Sequence, residues 1–470
     1  MADEYDLVVI GAGSGGLSAA PFAAQLGAKV ALVEKDRVGG DCLWTGCVPS
    51  KAFIKAAKVA WEMRTADHYG IEAVQPRVEL GSVMAHVKQV VERVYAFESP
   101  RSLEEEGIEV VLSGARFLDA HSIAVGDRVL RAKVFLVCTG GTAMIPAIPG
   151  IETTPYLTYE TIFDETELPG RLLVVGAGPI GLELGQAFHR LGAQVTIFQR
   201  SARLLSMGDP DVSRVIAEAL TAEGIRLQLG APLERVAQVN GHVEITAGGR
   251  TFSGDKLLIA LGRRPNVDLD LERAGVHYDA KGIPVDEALR TNVKHIYACG
   301  DVIGSHQFTH YAGWQGYIAV RNALLPLTSN GLREQVPWTI FTDPEVARAG
   351  LTEGGARERY GDDVRVATWP LERIDRAQAE EDRLGFIKIV YRSNEEIVGA
   401  HIVAGRAGEI IHEFIMAIEK RIKLSELAGM IHVYPTYSTG NQQIAAVHVV
   451  HDFLASRKGQ IIQKFARWLR

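Results

Sequence analysis

Two cysteines, Cys42 and Cys47, lie in the stretch Gly39 to Lys51, which reads Gly-Gly-Asp-Cys-Leu-Trp-Thr-Gly-Cys-Val-Pro-Ser-Lys. Thiols at this spacing can cycle between dithiol and disulfide. A regular helix would separate their Cα atoms by about 8.6 Å, whereas a disulfide needs roughly 4.4 to 6.8 Å. The spacing therefore predicts a distorted turn, with Gly46 placed to absorb it. A strained, accessible disulfide is the labile, catalytic kind. The competing reading is two buried thiols in a helix, because free cysteine is among the most buried residue types.

Composition narrows the chemistry. The chain has 470 residues, 50 Lys and Arg against 57 Asp and Glu, and a net charge of −7. That balance argues against nucleic acid as a partner, which calls for a basic footprint. Four cysteines in so long a chain form no secreted framework, and no signal peptide follows Met1. The expected compartment is the reducing cytoplasm, where a cysteine pair is catalytic more often than structural. No histidine shows metal-ligand spacing with another His or Cys, so no metal site is expected.

The elements that must position the pair begin at the N-terminus. Leu7-Val8-Val9-Ile10 is a strand-like run followed by Gly11-Ala12-Gly13-Ser14-Gly15-Gly16, an Ala-rich helix, and a second strand ending at Glu34. In this pattern Gly11 makes the turn, Gly13 lets backbone approach a pyrophosphate at the helix N-terminus, and Gly16 lets helix pack on strand. Glu34 is placed to accept hydrogen bonds from an adenosine ribose. Leu7 to Ala28 is 22 residues without a charge, long enough to span a bilayer. Its glycines and Pro21 favour strand, turn and helix instead.

The pattern recurs at Leu172-Leu173-Val174-Val175 with Gly176, Gly178 and Gly181. This duplication predicts two dinucleotides. Glu34 lies 23 positions after Gly11, and Gln199 lies 23 after Gly176. The second unit has thus lost the acid, and Gln199-Arg200 stands in its place. Arginine can pair with a 2′-phosphate, and Arg203 could add to that charge, which favours NADPH while leaving NADH possible.

Two dinucleotides flanking a cysteine pair make a circuit from nicotinamide to flavin to disulfide. Here the chain resembles the pyridine nucleotide-disulfide oxidoreductases, the family of glutathione reductase, dihydrolipoamide dehydrogenase and mercuric reductase. Besides the two glycine fingerprints and the cysteine motif, the resemblance includes Thr139-Gly140-Gly141, Ala260 to Asn266 with Gly262, and Thr291 to Asp301, which ends Ile296-Tyr297-Ala298-Cys299-Gly300-Asp301. It extends through Phe341 to Glu345 and Gly350 to Glu353. It implies an α/β fold with two Rossmann-like dinucleotide-binding domains and a C-terminal α+β dimer-interface domain. Residues 1–150 and 285–335 would bind FAD, 151–284 the nicotinamide nucleotide, and 336–470 would form the interface of a homodimer. Strands are expected at Phe386 to Tyr391 and Ile397 to Val403.

By the same resemblance Cys42 is the interchange thiol that meets the substrate and Cys47 the charge-transfer thiol beside the flavin. A helix N-terminus entering at Pro49 would lower the Cys47 pKa. Lys51 would sit near the flavin, paired with Glu183. Gly40, Thr139, Gly140, Asp301, Gln307, Thr309 and His310 match flavin-contacting positions, and Gly262 a cofactor-contacting one. Cys138 and Cys299 occupy apolar strand contexts and read as core residues.

The resemblance breaks at the C-terminus. Disulfide-reducing members carry His-Pro-Thr-x-Ser-Glu, whose His shuttles protons to the interchange thiol of the other subunit and whose Glu orients it. This chain has Tyr434-Pro435-Thr436-Tyr437-Ser438-Thr439. A phenol with pKa near 10 is a poor base at neutral pH, and His432 is the nearest substitute. Mercuric reductases do without that base, but they usually add a C-terminal cysteine pair that is not present here. His451 to Arg470 carries Arg457, Lys458, Lys464, Arg467 and Arg470, with Leu454, Ile461, Phe465 and Trp468 at helical spacing. Such a helix is expected to pack on its own protein rather than on a membrane.

The first reading is an NADPH-dependent FAD reductase that passes electrons through Cys42 and Cys47 to a soft metal ion or small disulfide. The second is an NAD-linked dihydrolipoamide dehydrogenase. The third, from another class, is a flavoprotein redox sensor or partner subunit.

Overall fold

The computed structural model describes residues 3–469; Met1, Ala2 and Arg470, the last charge of the basic tail, lie outside the described residues. The chain forms two compact units, residues 1–198 with 232–334 and residues 199–231 with 335–470.

In the first unit, β1 (Asp3–Ile10) leads through a glycine turn to α1 (Ser14–Gln25) and β2 (Val30–Glu34). Alternation sends Val8 and Ile10 into one core and Leu7 and Val9 into another. Burial on both faces is why the strand reads as a continuous apolar run. The uncharged stretch from Leu7 is thus split between a strand and a short helix. Among the described residues no helix is long and apolar enough to cross a membrane.

After β2 come α2 (Gly40–Trp44) and α3 (Cys47–Arg64). The sheet is completed by β3 (Ile108–Leu112), β4 (Ala115–Asp119), β5 (Ser122–Val125) and β6 (Arg128–Val137), in the order β3-β2-β1-β6-β5-β4. It is parallel from β3 to β6 and antiparallel beyond. The second nucleotide-binding pattern folds as β7 (Arg171–Val175), α4 (Pro179–Leu191) and β8 (Gln194–Gln199). With β9 (Lys256–Ile259) these strands make a parallel sheet in the order β8-β7-β9. The chain then returns to the first sheet, where β10 (Ile296–Ala298) pairs with β6. It continues into α5 (Thr309–Leu324), which lies so close to α1 that a Cβ at Gly316 would come within 2.2 Å of the Gly15 carbonyl.

The second unit is built on a five-stranded antiparallel sheet. Its strands are β11 (Trp338–Ile340), β12 (Glu345–Gly350), β13 (Val364–Pro370), β14 (Phe386–Arg392) and β15 (Ile397–Ala404), ordered β11-β12-β15-β14-β13. The two strands expected from the sequence are the central pair. One sheet face packs Ile387, Ile389, Ala400 and Ile402 against Phe414 of α6 (His412–Lys420) and Ile444 of α7 (Thr439–Ala455). The other face carries Arg348, His401 and Lys388 in cross-strand register.

Lys388 is buried, and its ammonium meets Asp209 at 3.0 Å, Asp211 at 3.0 Å and Glu353 at 2.9 Å. Three carboxylates match its three hydrogens. Burial pushes the neighbouring His401 down to about 4, so that ring adds no charge near neutrality.

The basic tail differs from expectation. α8 (Arg457–Trp468) forms, but Ile461, Phe465 and Trp468 are exposed and only Gly459 is buried. Ser456 leaves the helical conformation and caps α8 by accepting from the Gly459 N–H at 3.1 Å. Gly459 lies against the Phe453 carbonyl, so the first turn of α8 packs on α7. The apolar stripe does not pack on its own chain.

Replacing Lys388 by Met strands three carboxylates around a buried site. Breaking such a cluster from one side costs about 3–5 kcal/mol, so denaturant unfolding of K388M is expected to show a loss of that size. An unchanged midpoint would refute the cluster's structural role.

Candidate active site

The first glycine turn is forced by close approaches. Gly11 has φ +106°, and a Cβ there would lie 2.4 Å from the Cys138 carbonyl oxygen; one on Gly16 would lie 2.0 Å from the Gly11 oxygen. Gly176 and Gly181 repeat this arrangement against Ala260 and Gly176. Gly13 and Gly178 cap α1 and α4 with matching extended backbones and no side-chain cap. Both helix N-termini therefore leave their first N–H groups to another acceptor. Glu34 closes the first unit, its carboxylate accepting from the Ala12 N–H at 2.8 Å and the Asp36 N–H at 2.9 Å.

The cysteine loop is pressed onto that turn. A Cβ on Gly40 would lie 2.7 Å from the Gly13 Cα, so α2 starts where only glycine fits. The helix breaks at Thr45 and Gly46, and α3 begins at Cys47. Gly46 takes up the distortion with φ −112° and ψ −114°, an unusual ψ rather than the positive φ that glycine also allows. A Cβ there would meet the Asp41 carbonyl at 2.8 Å.

All four cysteines are free, so Cys42 and Cys47 are two thiols in this structure. The two thiols differ in charge. Cys47 is lowered to about 6, first by the hydrogen bond from Cys42; Thr309 and the charge of Lys51 assist against burial. The Thr309 hydroxyl lies 3.2 Å from Cys47 Sγ, and the N-terminus of α3 favours a thiolate there. Cys42 is raised above an ordinary thiol, first because it donates to Cys47 and then by burial. At neutral pH the pair is a thiol hydrogen-bonded to a thiolate.

Lys51, one turn beyond Cys47 on α3, reaches the buried Glu183 of α4 at 2.8 Å. The helices are held together by Phe53 packed at a tilt against Phe188, ring centroids 4.8 Å apart, and by the Arg190 guanidinium over Trp61. The ion pair expected from the sequence forms.

Arg263 and Asp41 lie within the family motifs, and the sequence alone points to no role for either. Arg263 bonds to Asp41, to the Gly141 carbonyl at 2.8 Å and to Asp301 at 3.0 Å, with its guanidinium over the Tyr159 ring. Burial opposes its charge, but Asp301 and Asp41 raise it further. Burial in turn raises Asp301 while Arg263 holds it back. The position of Arg263 directly after Gly262 was the available signal. Thr139 and Asn266 interlock through Thr139 Oγ1 to the Asn266 carbonyl at 2.6 Å and Asn266 Nδ2 to the Thr139 carbonyl at 3.0 Å. Gln307 reaches the Arg263 carbonyl at 3.5 Å, and His310 stacks on Phe308.

The residues present fit a flavin and a nicotinamide nucleotide. At Gly140 and Gly178 an added Cβ would meet no atom within 4 Å, which leaves open space beside both loops. In the cysteine loop Thr45 Oγ1 is buried without a hydrogen-bond partner. Such an atom calls for a further group.

Residues 5–316 match the model of the pyridine nucleotide-disulphide oxidoreductases, and residues 336–444 match the dimerisation domain of that family. The chain belongs to this family. It is an FAD-dependent NAD(P)H oxidoreductase.

Mercuric reductase of Bacillus cereus is 35% identical over 93% of this chain and 70% of its own length. Dihydrolipoyl dehydrogenase of Thermus scotoductus is 35% identical over 95% and 99%. Among solved structures, the Cu(II) complex of the HOCl-induced flavoprotein disulfide reductase RclA from Escherichia coli matches at TM-score 0.86 and 29% identity, covering 95% of this chain and 99% of that one. LpdA from Mycobacterium tuberculosis matches at 0.87 and 30%, with the same coverage.

In the second unit, Gln199 donates to Ser201 Oγ at 3.0 Å, and the Arg203 guanidinium is taken up by the Ser206 carbonyl at 3.2 Å. Arg200 is exposed. Tyr434, also exposed, donates to Asp375 at 2.7 Å, which raises its pKa. His432 Nε2 lies 2.7 Å from Glu413, whose other oxygen accepts from Asn441 at 2.6 Å. Neither Asp375 nor Glu413 was singled out by sequence, since both lie far from position 434 along the chain.

The Cys47 thiolate is expected to persist at pH 7 and to be lost as pH falls through about 6. Cys42→Ala and Thr309→Val each remove a hydrogen bond to it, which is worth about one pKa unit, so both variants should move the midpoint upward. The long-wavelength flavin absorption of the dithiol holoenzyme, titrated with pH, reads it directly. A midpoint unmoved by either change would overturn the assignment.

Proposed function

We propose that the protein is an NADPH-dependent flavoprotein reductase that delivers electron pairs through Cys42 and Cys47 to a soft metal ion or a small disulfide, with mercuric-reductase-like chemistry favoured. The observation that carries this reading is the state of Cys42, a protonated thiol in a chain whose proton-shuttle position is a tyrosine that already donates to Asp375. Attack on a disulfide needs Cys42 as thiolate, hence a base. A soft cation needs none, because a coordinating thiol loses its proton to the metal.

Bound FAD supplies hydride acceptance from NADPH and two-electron transfer to the cysteine couple. Lys51, anchored by Glu183, holds positive charge beside Cys47 and stabilises its thiolate. Cys42 and Cys47 then bind the metal ion with release of the Cys42 proton; the two thiolates give up an electron pair, to one Hg²⁺ or to two Cu²⁺ taken one after the other, and close to the Cys42–Cys47 disulfide. For a small disulfide, Cys42 forms the mixed disulfide and releases one thiol; Cys47 then attacks Cys42 and releases the second. Tyr434 can donate a hydrogen bond in either case but accepts a proton poorly.

The working division is FAD with residues 1–150 and 285–335, the nicotinamide nucleotide with 151–284, and a homodimer through 336–470, in a reducing cytoplasm. The matched dimerisation domain supports the last assignment. NADPH is favoured over NADH because Arg200 is an exposed cation where the first unit has Glu34. Glu34, Asp301 and the first glycine turn are assigned to FAD, and Gly176, Gly178, Gly181, Gln199 and Gly262 to the nicotinamide nucleotide.

Dihydrolipoamide oxidation is the second reading. The His432–Glu413 contact favours it, since it joins an imidazole to a carboxylate two residues from Tyr434. Both ring nitrogens are engaged, Nδ1 facing the Met430 carbonyl at 3.4 Å, and this leaves His432 as a brace rather than a base.

Steady-state assays with Hg²⁺, Cu²⁺, lipoamide and glutathione disulfide separate the two. The wild type should oxidise NADPH with the metal ions and turn over the disulfides slowly. Tyr434→His should raise disulfide turnover by roughly 10²-fold or more, the scale of general acid–base catalysis. Fast wild-type lipoamide turnover would sink the metal reading. Arg200→Ala should raise the KM for NADPH about 10- to 100-fold while leaving NADH unaffected; equal effects on both would return the choice to NADH.

A further inference from the structure

Cys138 and Cys299 lie outside the chemistry described above, yet their Sγ atoms are 3.3 Å apart in the interior of the first unit. The sheet explains the meeting. β10 pairs with β6 through Phe135 with Ile296, Leu136 with Tyr297 and Val137 with Ala298. The Cys299 N–H continues the ladder to the Val137 carbonyl at 3.0 Å. One further step sets Cys299 beside Cys138. Neighbouring strands stand about 4.8 Å apart, within the 4.4 to 6.8 Å that a disulfide requires between Cα atoms. A Cβ on Gly15 would come within 3.1 Å of Cys299 Sγ and 3.5 Å of Cys138 Sγ, so both thiols lie against the first turn of α1.

We propose that Cys138 and Cys299 are a second redox couple, which a hydroperoxide closes into a disulfide that staples β6 to β10. One sulfur displaces hydroxide from the peroxide and becomes a sulfenic acid; the other displaces water from it and forms the S–S bond. Two thiols and one hydrogen peroxide give one disulfide and two waters, the sulfurs losing two electrons and the peroxide gaining them. Burial raises Cys138 well above an ordinary thiol, so this couple reacts more slowly than Cys42 and Cys47. Once the first sulfur is oxidised, its partner already touches it.

The cysteines are 161 positions apart. The second glycine fingerprint and its sheet lie between them, so the bond would join two segments of one sheet that sequence holds far apart. Closing so long a loop removes much freedom from the unfolded chain. Thr139 and Gly140 directly follow one cysteine and Gly300 and Asp301 the other, so the staple also fixes the loops assigned to FAD. The proposal holds whatever the acceptor at Cys42 proves to be.

The test is prolonged exposure of the FAD-loaded enzyme to hydrogen peroxide, followed by alkylation under denaturing conditions and peptide mapping. It is run on the wild type, on a Cys42→Ser/Cys47→Ser background and on Cys299→Ala. The background variant should lose both remaining thiols and yield a cross-linked Cys138–Cys299 peptide. Its thermal midpoint should rise by about 5 °C and its FAD release should slow. Dithiothreitol should reverse all three, and Cys299→Ala should show none. Two persistent thiols, sulfinic acid without a cross-link, or a cross-link without thermal shift would each overturn the proposal.

Discussion

The hydrogen bond from Cys42 to Cys47 can form only because the chain is not helical between them. Continuous helix would carry the two side chains apart; the break at Thr45 and Gly46 folds α2 back while leaving Cys47 at the start of α3. Two consequences follow from that one break. The thiols come into contact, and one of them sits at a helix N-terminus, where negative charge is favoured. The difference in protonation between them is thus built by backbone geometry before any distant charge acts.

Keeping the break in place takes anchors on each side. Toward the N-terminus, Gly40 is pressed against Gly13, and Asp41 is bound by Arg263. Arg263 also binds Asp301, so one buried guanidinium neutralises two carboxylates from loops far apart in sequence. Toward the C-terminus, α3 is fixed to α4 by Phe53 on Phe188 and by Lys51 on Glu183. The Lys51–Glu183 pair therefore holds a cation beside Cys47 and fixes the helix of the second glycine fingerprint, α4, against α3.

Much of this was legible because it is written in local pattern. The two glycine fingerprints fold alike because the same backbone collisions, Gly11 on Cys138 and Gly176 on Ala260, require glycine in each. The strands from Phe386 and Ile397 were visible as β-branched and apolar runs, and the Lys51–Glu183 pair through the resemblance. What stayed hidden depends on side chains meeting across long separations. Nothing local to Lys388 announces Asp209, Asp211 and Glu353, and apolar surroundings made Cys138 and Cys299 read as separate core residues. The tail misled for a different reason: periodicity reports that a helix has an apolar face but not what covers it, and Ser456 turns α8 so that its stripe remains exposed.

The same distinction governs the substrate side. Replacing His by Tyr at position 434 reads from sequence as a lost base; the structure adds that the phenol is committed to Asp375, which strengthens its hold on the proton. The nearby imidazole of His432 is committed to Glu413. Tyr434 is thus set as a hydrogen-bond donor, and His432 is tied to a neighbouring helix. Cys42, meanwhile, is held as a thiol by the same hydrogen bond that stabilises Cys47. On the proposed reading, this is why a soft cation, which removes the Cys42 proton by its own charge, suits the dithiol better than a neutral disulfide.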